Sequence, residues 1–401
     1  MGLAAGAVAP ARGWHSLPGR SLYWRFVPRR SPDVSRTELF VGLMTGTSLD
    51  GIDAALVDFS TGKPHLRAHV HHELADELRA ALLRLNHSGD DELHRAAVAA
   101  QHLAHAYAAA VGDLLLDAGV DAKQVRAIGA HGQTVRHRPE AGYTIQVNAP
   151  ATLAELAGID VVADFRSRDI AAGGQGAPLA PAFHAAAFRG ELPRAVVNIG
   201  GISNLTGLPA LGVDSPVLGF DCGPGNVLID GWAREHLGEP LDREGRWAAG
   251  GRVHAPLLAA LLDEPFFALA PPKSTGRDRF NREWLDRKLA GLAVDPGDVQ
   301  ATLTRLTATV IGEAIGRYFA EAAEVIVCGG GAFNGTLMRM LAEACAPRRV
   351  VASDALGVAP DQVEALAFAW LAREFVEHRR ANLPAVTGAR GPRPLGALYP
   401  R

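Results

Sequence analysis

The hydrophobic pattern begins at Leu39. Residues 39–44 (LFVGLM) form a short apolar run that ends in the small, polar turn Thr45-Gly46-Thr47-Ser48, and 52–59 (IDAALVDF) and 66–72 follow as further runs. Short apolar runs bounded by Gly, Ser and Thr predict strands. From Asp90 to Ala118 the period changes to three and four: Leu93, Ala97, Ala100, Ala104, Tyr107, Val111, Leu114 and Ala118 share one helical face, with Asp90 placed to cap the start and Gly119 the end. Strands near 127–129 and 160–165, with a helix over 149–157, complete the order strand, strand, strand, helix, strand, helix, strand.

That order starts again further on. Residues 194–199 (RAVVNI) predict a strand, 200–204 a turn, 205–208 its continuation, 217–221 a third strand and 226–237 a helix. Later come the strand 325–328, a Gly-rich turn, the helix 334–344, the strand 350–353 and a last helix from Asp361 to about Arg379. Two halves that each open with strand, small-residue turn and strand predict a duplication with a period of about 155 residues, too long for a solenoid. The expected boundary lies near Gly190, which gives a first domain over 37–190 and a second over 191–401. Residues 1–36 are rich in Arg, Pro and Gly without a sustained apolar stretch. They are expected to be a disordered extension or the product of a start set too far upstream. A transit peptide is the alternative, since residues 2–10 fall short of the ~7–15 apolar residues of a secretory signal.

Composition narrows the function classes. With 401 residues, 48% hydrophobic and 21% charged, the chain is globular stock for two to three domains. A net charge of -3 offers no basic footprint for nucleic acid, and no apolar run approaches the ~20 residues of a membrane span. Three cysteines without CxxC spacing argue against a disulfide framework and a zinc site, and best fit a reducing cytoplasm. The 44 glycines point to tight turns and close backbone approaches, as phosphate binding requires.

Candidate chemistry gathers in four places. In the turn Gly46-Thr47-Ser48-Leu49-Asp50-Gly51-Ile52-Asp53, backbone N–H groups and two hydroxyls can receive an anion, and the carboxylates make sense if Mg²⁺ mediates; a plain hairpin accounts for it equally well. Gly200-Gly201-Ile202-Ser203 has the same character, and two such turns, one per half, are best explained as two clamps on one triphosphate. Phe220-Asp221-Cys222-Gly223-Pro224-Gly225-Asn226 places a carboxylate at the end of a strand before a helix, where α/β proteins bind ligands and a general base has reach. A helix cap is the alternative, but Asp221 precedes Asn226 by five residues, too early to cap. Gly329-Gly330-Gly331-Ala332-Phe333-Asn334 lacks the dinucleotide fingerprint and can instead pass a flat nucleoside across its backbone. His131, and Arg168 next to Asp169, carry no distinct signal by themselves. There is no Walker-type loop, protein-kinase signature, HExxH or nucleophile elbow.

Read together, GLMTGTSLDGIDAALVDF, GAHGQTVRH, VVADFRSRDIAAGGQGAPLAPAFH, NIGGISNL, GFDCGPGNVLIDGW, KSTGRDRFN, VCGGGAFN and TGARGPRPLGALYP resemble the 1,6-anhydro-N-acetylmuramic acid kinase family over essentially residues 40–400. The resemblance implies an α/β, two-domain actin-like ATPase or sugar-kinase fold, each domain a mixed sheet flanked by helices, with nucleotide in the interdomain cleft. It implies a cytoplasmic bacterial homodimer that uses ATP and Mg²⁺ on a small anhydro amino sugar in cell-wall recycling. Water opens the 1,6-anhydro ring while O6 takes the γ-phosphoryl group. By the same resemblance Asp221 is the catalytic base, Glu364 reaches the active site, Thr47, Ser48 and Asp50 lie in the first phosphate loop and Gly200, Gly201 and Ser203 in the second. Gly329, Gly330, Gly331 and Asn334 border the nucleoside, and His131, Arg168 and Asp169 face the sugar. The metal ligands are left open. A plain hexose kinase, a nucleotide-driven assembly ATPase and a sugar-sensing regulator are the competing readings; no segment is left over for the extra domain that the second needs, and neither charge nor a helix-turn-helix pattern offers the DNA-binding module that the third needs.

Overall fold

In the computed structural model the described residues are 38–46, 49 and 51–401. The expectations for residues 1–36, and for Thr47, Ser48 and Asp50, lie outside them.

Strands β1 (Leu39–Thr45), β2 (Gly51–Asp58) and β3 (His65–Glu73) form an antiparallel meander. After it come β4 (Val125–Ala130), the hairpin β5 (Gln133–Arg138) and β6 (Tyr143–Val147), and β7 (Val161–Ala163). The second half brings β8 (Arg194–Ile199), β9 (Ile202–Leu208), β10 (Leu218–Pro224), β11 (Glu324–Cys328) and β12 (Arg349–Ala352), and the chain closes with β13 (Ala397–Tyr399). The first sheet has the order β13-β7-β4-β1-β2-β3 and the second β10-β9-β8-β11-β12. In both, a meander lies beside parallel strands: β1 pairs parallel with β4 and β4 with β7, and β8 pairs parallel with β11 and β11 with β12. The duplication expected from the sequence is therefore real at the level of topology, and the fold is the expected α/β pair of mixed sheets flanked by helices.

The strands read as unbroken apolar runs because both faces are covered. Val41 and Leu43 of β1 point to a core shared with Leu103, Tyr107 and Leu114 of the helix Glu92–Ala118, whereas Phe40 points the other way. In the second sheet Val325 and Val327 face the helix Pro296–Tyr318, while Ile326 joins Phe40 in a cluster that spans the two halves. The helix Val363–Val376 fills that middle layer. It follows β12 in the chain, yet it lies on the first sheet: Gly42 and Gly129, paired in register on β1 and β4, face the carbonyls of Ala365 and Phe368 so closely that a Cβ on either would collide. Arg126 of β4 fastens the end of this helix through Glu377 (2.6 Å) and also binds Glu38 (3.0 Å). β13 likewise returns to the first sheet, antiparallel to β7.

Several local expectations need correction. The long helix begins at Glu92, its N-cap is Asp91 in a left-handed conformation without a side-chain cap bond, and Leu93 is exposed; Gly119 does close it at φ 62°. The helix Asp76–Arg84, the β5–β6 hairpin and the 23-residue helix Pro296–Tyr318 were not expected. The last helix is shorter than its apolar pattern, Val363–Val376.

Candidate active site

The first turn joins β1 to β2. Thr45 Oγ1 shares a 2.7 Å hydrogen bond with the buried hydroxyl of Tyr107, which ties the start of the turn to the helix beneath the sheet. Leu49 adopts φ 56° with its side chain buried; its N–H donates to the Gly46 carbonyl (3.1 Å) and its own carbonyl accepts from Arg79 Nε (2.9 Å). Leu49 is thus an apolar plug, held by its backbone between Gly46 and Arg79. Gly51 packs against the His71 ring, and Ile52 is core, so both contribute backbone alone. Asp53 is drawn away from an open role: its Oδ1 accepts from His69 Nε2 (3.2 Å) and His71 Nδ1 (3.0 Å) on β3. Burial lifts its carboxyl, but the hydrogen bonds and charges of the two imidazoles outweigh this and hold it below the usual carboxylate range.

The second turn is a three-residue hairpin, Gly200-Gly201-Ile202, shorter than the five residues expected, because Ser203 of β9 already pairs with Ile199 of β8. Backbone N–H groups of Gly225 and Val227 donate to the Gly201 carbonyl (2.9 and 3.1 Å), that of Asn226 to Gly200 (2.8 Å), and Asn226 Nδ2 to Ile199 (3.2 Å). Gly225 is in contact with the Gly200 carbonyl, an approach that only glycine permits. These bonds fix the hairpin over the start of the helix Val227–Leu237 and spend the helix's first N–H, that of Val227, on the Gly201 carbonyl. Ser203 does not add a donor there: its hydroxyl is buried beneath the turn. Gly329, at φ 80°, donates to the Pro360 carbonyl (2.8 Å), and Gly331 lies on Ile199. Gly330 faces the same corner, with Asn226 Nδ2 3.7 Å from where a Cβ would stand. The three glycines and the hairpin therefore meet at the carboxyl ends of the parallel strands β8 and β11. Asn334 is spent otherwise: it is buried and caps the helix Gly335–Cys345 by accepting from Leu337 N–H (2.9 Å).

Asp221 lies inside β10, three residues before its end at Pro224, where the register against β9 slips. Its N–H donates to the Lys273 carbonyl (3.1 Å). Ser274 Oγ (2.9 Å) and the Thr275 N–H (3.1 Å) both donate to Oδ2, which leaves Oδ1 to accept a proton. Burial raises the carboxyl above its ordinary value, against the pull of those two bonds. Sequence reasoning did not single out Ser274 or Thr275; the signal was present as the run KSTGRDRFN, which has no periodicity and lies 52 residues further on. Asp230, one turn into the next helix, is pushed up to about 6 by burial, offset in part by Arg234 and Arg277.

On the first sheet the expected sugar-side residues divide. His131 follows β4, is buried, and its Nε2 accepts from Arg166 Nε (3.2 Å) and Nη2 (2.9 Å). Burial and the Arg166 charge hold it well below the usual imidazole value, so it is neutral with its proton on Nδ1. Glu364 lies in the first turn of the helix Val363–Val376; Phe368, one turn on, meets the His131 ring at a tilt (4.7 Å), and the Glu364 charge partly offsets the burial that lowers Arg166. Arg168 is exposed and has no ion-pair partner among the described residues. Asp169 points the other way. It is fully buried, accepting from Gly176 N–H (2.8 Å), Asn382 Nδ2 (2.6 Å) and Thr387 Oγ1 (2.8 Å), and so acts as a strut for the short helix Ser167–Ala171 that displays Arg168 rather than as an open contact. Arg166 was missed because an arginine beside Arg168 in sequence carries no mark of its burial.

Among the described residues no group of three or more His, Cys, Asp or Glu is arranged to hold a metal ion, and no helix is long and apolar enough to cross a membrane. The solved structures that the fold resembles include the activator of the 2-hydroxyisocaproyl-CoA dehydratase from Clostridium difficile with bound ADPNP (TM-score 0.47, 12% identity, covering 84% of this chain and 96% of that one). Another is a ROK family glucokinase from Streptomyces griseus in complex with glucose and AMPPNP (TM-score 0.40, 15% identity, 84% and 99%). Curated relatives are far nearer. The anhydro-N-acetylmuramic acid kinase of Variovorax paradoxus (strain S110) is 57% identical over 373 residues, 90% of this chain and 99% of its own. That of Bordetella petrii is 59% identical over 367 residues, 90% and 96%. Residues 38–401 match the family described as anhydro-N-acetylmuramic acid kinase. With a match across the whole described chain and relatives of this identity, the protein belongs to the anhydro-N-acetylmuramic acid kinase family.

Proposed function

We propose that the protein opens the 1,6-anhydro ring of 1,6-anhydro-N-acetylmuramic acid with water and phosphorylates O6 from ATP, giving N-acetylmuramic acid 6-phosphate and ADP in cell-wall recycling. The observation that carries the chemistry is the Asp221 carboxylate, enclosed and held by one oxygen with the other free. Oδ1 takes a proton from water as that water attacks the anomeric carbon. The bond from that carbon to O6 breaks, and O6 leaves as the nucleophile that attacks the γ-phosphorus, expelling ADP. One base serves both steps, because phosphoryl transfer itself needs positioning and charge neutralisation above all.

ATP lies in this reading between lobes of residues 37–190 and 191–401, its phosphates between the turn at 46–53 and the hairpin at Gly200-Gly201, its nucleoside along Gly329–Gly331. Mg²⁺, which keeps several waters and takes one or two carboxylates besides phosphate oxygens, would neutralise phosphate charge. The residues fit it only as such a phosphate-borne ion, since Asp53 is engaged by two histidines. Arg168 and Glu364 face the sugar. A cytoplasmic homodimer completes the proposal. The test is turnover in oxygen-18 water, read within minutes. The expected result is one label at the anomeric hydroxyl and none in phosphate. Label in inorganic phosphate would identify an ATPase, and an unlabelled sugar phosphate a plain hydroxyl kinase.

A further inference from the structure

We propose that Lys273 is a positioning residue for the base: its ammonium seats the segment 273–275 along β10, and that segment in turn fixes the Asp221 carboxylate. The proposal rests on the reading of Asp221 as the base. β10 is the outer strand of the second sheet, so its free N–H groups take partners from outside the sheet. The Asp221 N–H finds the Lys273 carbonyl (3.1 Å), and the next two residues bring Ser274 Oγ (2.9 Å) and the Thr275 N–H (3.1 Å) onto Oδ2. Residues 273–276 belong to no helix or strand, and Ser274 is exposed. A segment without a ladder of its own needs an anchor if it is to hold a carboxylate in one place.

The Lys273 side chain supplies it. Nζ donates to the carbonyls of Phe266 and Phe267, both at 3.2 Å, at the end of the short helix Pro265–Ala268. It lies over the Phe266 ring, 4.8 Å from the centroid, and 5.9 Å from that of Phe220. Phe220 precedes Asp221 on β10, and successive strand residues face opposite ways. The lysine therefore touches the strand on the face away from the carboxylate, while Ser274 reaches the carboxylate itself. The seat is braced in turn: Arg279 lies over Phe266 (5.3 Å) and pairs with Glu264 (3.2 Å), which also accepts from Trp284 Nε1 (2.8 Å). Of the ionisable groups beside Asp221, Cys222 keeps its proton, because burial and then the Asp221 charge push its thiol up against the pull of Lys273.

Lys273→Met, alone and combined with Ser274→Ala, tests this, since it keeps the length of the side chain and its packing on the rings but loses the donors. We expect kcat to fall by about 10- to 100-fold, the cost of a misplaced catalytic group, with the sugar KM little changed. The acidic limb of the kcat/KM profile reports the base in the free enzyme. It should move up by about one pH unit, because a carboxylate that loses hydrogen bonds to its charged form is easier to protonate. Ser274→Ala alone should move the limb the same way by less, and Lys273→Met should move it clearly less in the Ser274→Ala background than in the wild type. A limb that stays put in Lys273→Met, or a loss confined to KM, would make the lysine a structural anchor only and overturns the proposal. Full additivity of the two shifts overturns it as well, since the lysine would then act through its charge. Should Lys273→Met not fold, Lys273→Gln, one bond shorter and able to hold one carbonyl, takes its place: a smaller upward shift supports the proposal and an unmoved limb refutes it. Wild-type turnover by Asp221→Asn would instead sink the reading of Asp221 as the base, and with it this inference.

Discussion

Asp169→Asn separates a strut from a substrate contact. The carboxylate accepts three hydrogen bonds in a site closed to solvent: Asn382 Nδ2 and Thr387 Oγ1 on Oδ1, and the Gly176 N–H on Oδ2. An amide has one acceptor oxygen and one donor nitrogen. Its better placement puts the oxygen where Oδ1 was, keeping two partners, but then the new NH₂ faces the Gly176 N–H. A hydrogen bond to a charged group contributes about 1.5–3 kcal/mol, and a buried donor left without an acceptor costs about 1–3 kcal/mol. The two surviving bonds also weaken when the charge goes. We therefore expect about 3–4 kcal/mol of lost stability, without a large change in volume to confuse the result. Equilibrium urea unfolding reads this as a midpoint lowered by about 1 M. A second effect should accompany it: the helix Ser167–Ala171 and the turn after it to Gly176 loosen, and the sugar KM rises modestly through Arg168. The reasoning is refuted if the midpoint stays put while the sugar KM rises steeply, for then Asp169 would be a sugar ligand after all.

Asp221→Asn keeps the shape and both donors but cannot take a proton; we expect a loss of at least ~10²–10⁴-fold in both ring opening and ATP consumption, with sugar binding retained, and ring opening without phosphate transfer in a product assay would break the coupled mechanism. Gly46→Val should weaken ATP binding measured by calorimetry by about tenfold or more, because a branched side chain obstructs backbone approach to phosphate; unaltered affinity would remove the first turn from the nucleotide site. Asp230 has a folded-state pKa raised to about 6 from 3.8. Between those values the folded protein binds the extra proton, so this group's contribution to stability declines as pH rises through the window and is lowest above it. Asp230→Asn should therefore unfold at higher urea than wild type at pH 7.5, by about 1 kcal/mol after allowance for partial exposure, and a less stable variant at that pH would contradict the sign.

What could be read in the sequence follows a physical divide. β1, β2, β8 and β11 are short runs buried on both faces between glycine-bearing turns, and their apolar density alone marks them. The helix Pro296–Tyr318 is just as buried but hides its stripe. Gln300, Thr302, Thr304 and Thr307 all lie inside, the threonines satisfied by bonds such as Thr304 Oγ1 to the Gln300 carbonyl (2.9 Å) and Thr307 Oγ1 to Gly225 (3.0 Å). Buried threonines break the apolar period and lower helix propensity at once. The site shows the same divide. Backbone turns announce themselves through glycine, so Gly200-Gly201 and Gly329–Gly331 were legible. Direction of a side chain was not: Asn334, Ser203 and Asp169 are polar residues beside such turns that face inward, and Ser274, Thr275 and Arg166 reach the site from segments without any periodic signal.

The seating of helix Val363–Val376 over Gly42 and Gly129, with β13 on the far edge of the same sheet, has a consequence for biosynthesis. On a ribosome, β1 to β7 emerge first, but the face carrying Phe40, Ala55 and Val57 has no cover until some three hundred residues later, when that helix arrives. The outer edge of β7 waits longer still, for the last strand of the chain. A nascent sheet with an uncovered apolar face and an unpaired strand is the species most exposed to misassembly. The early half can at best be a provisional collapse, and its completion is a late, long-range event of high contact order. A gene cut near residue 190 would yield a first sheet that lacks its own roof.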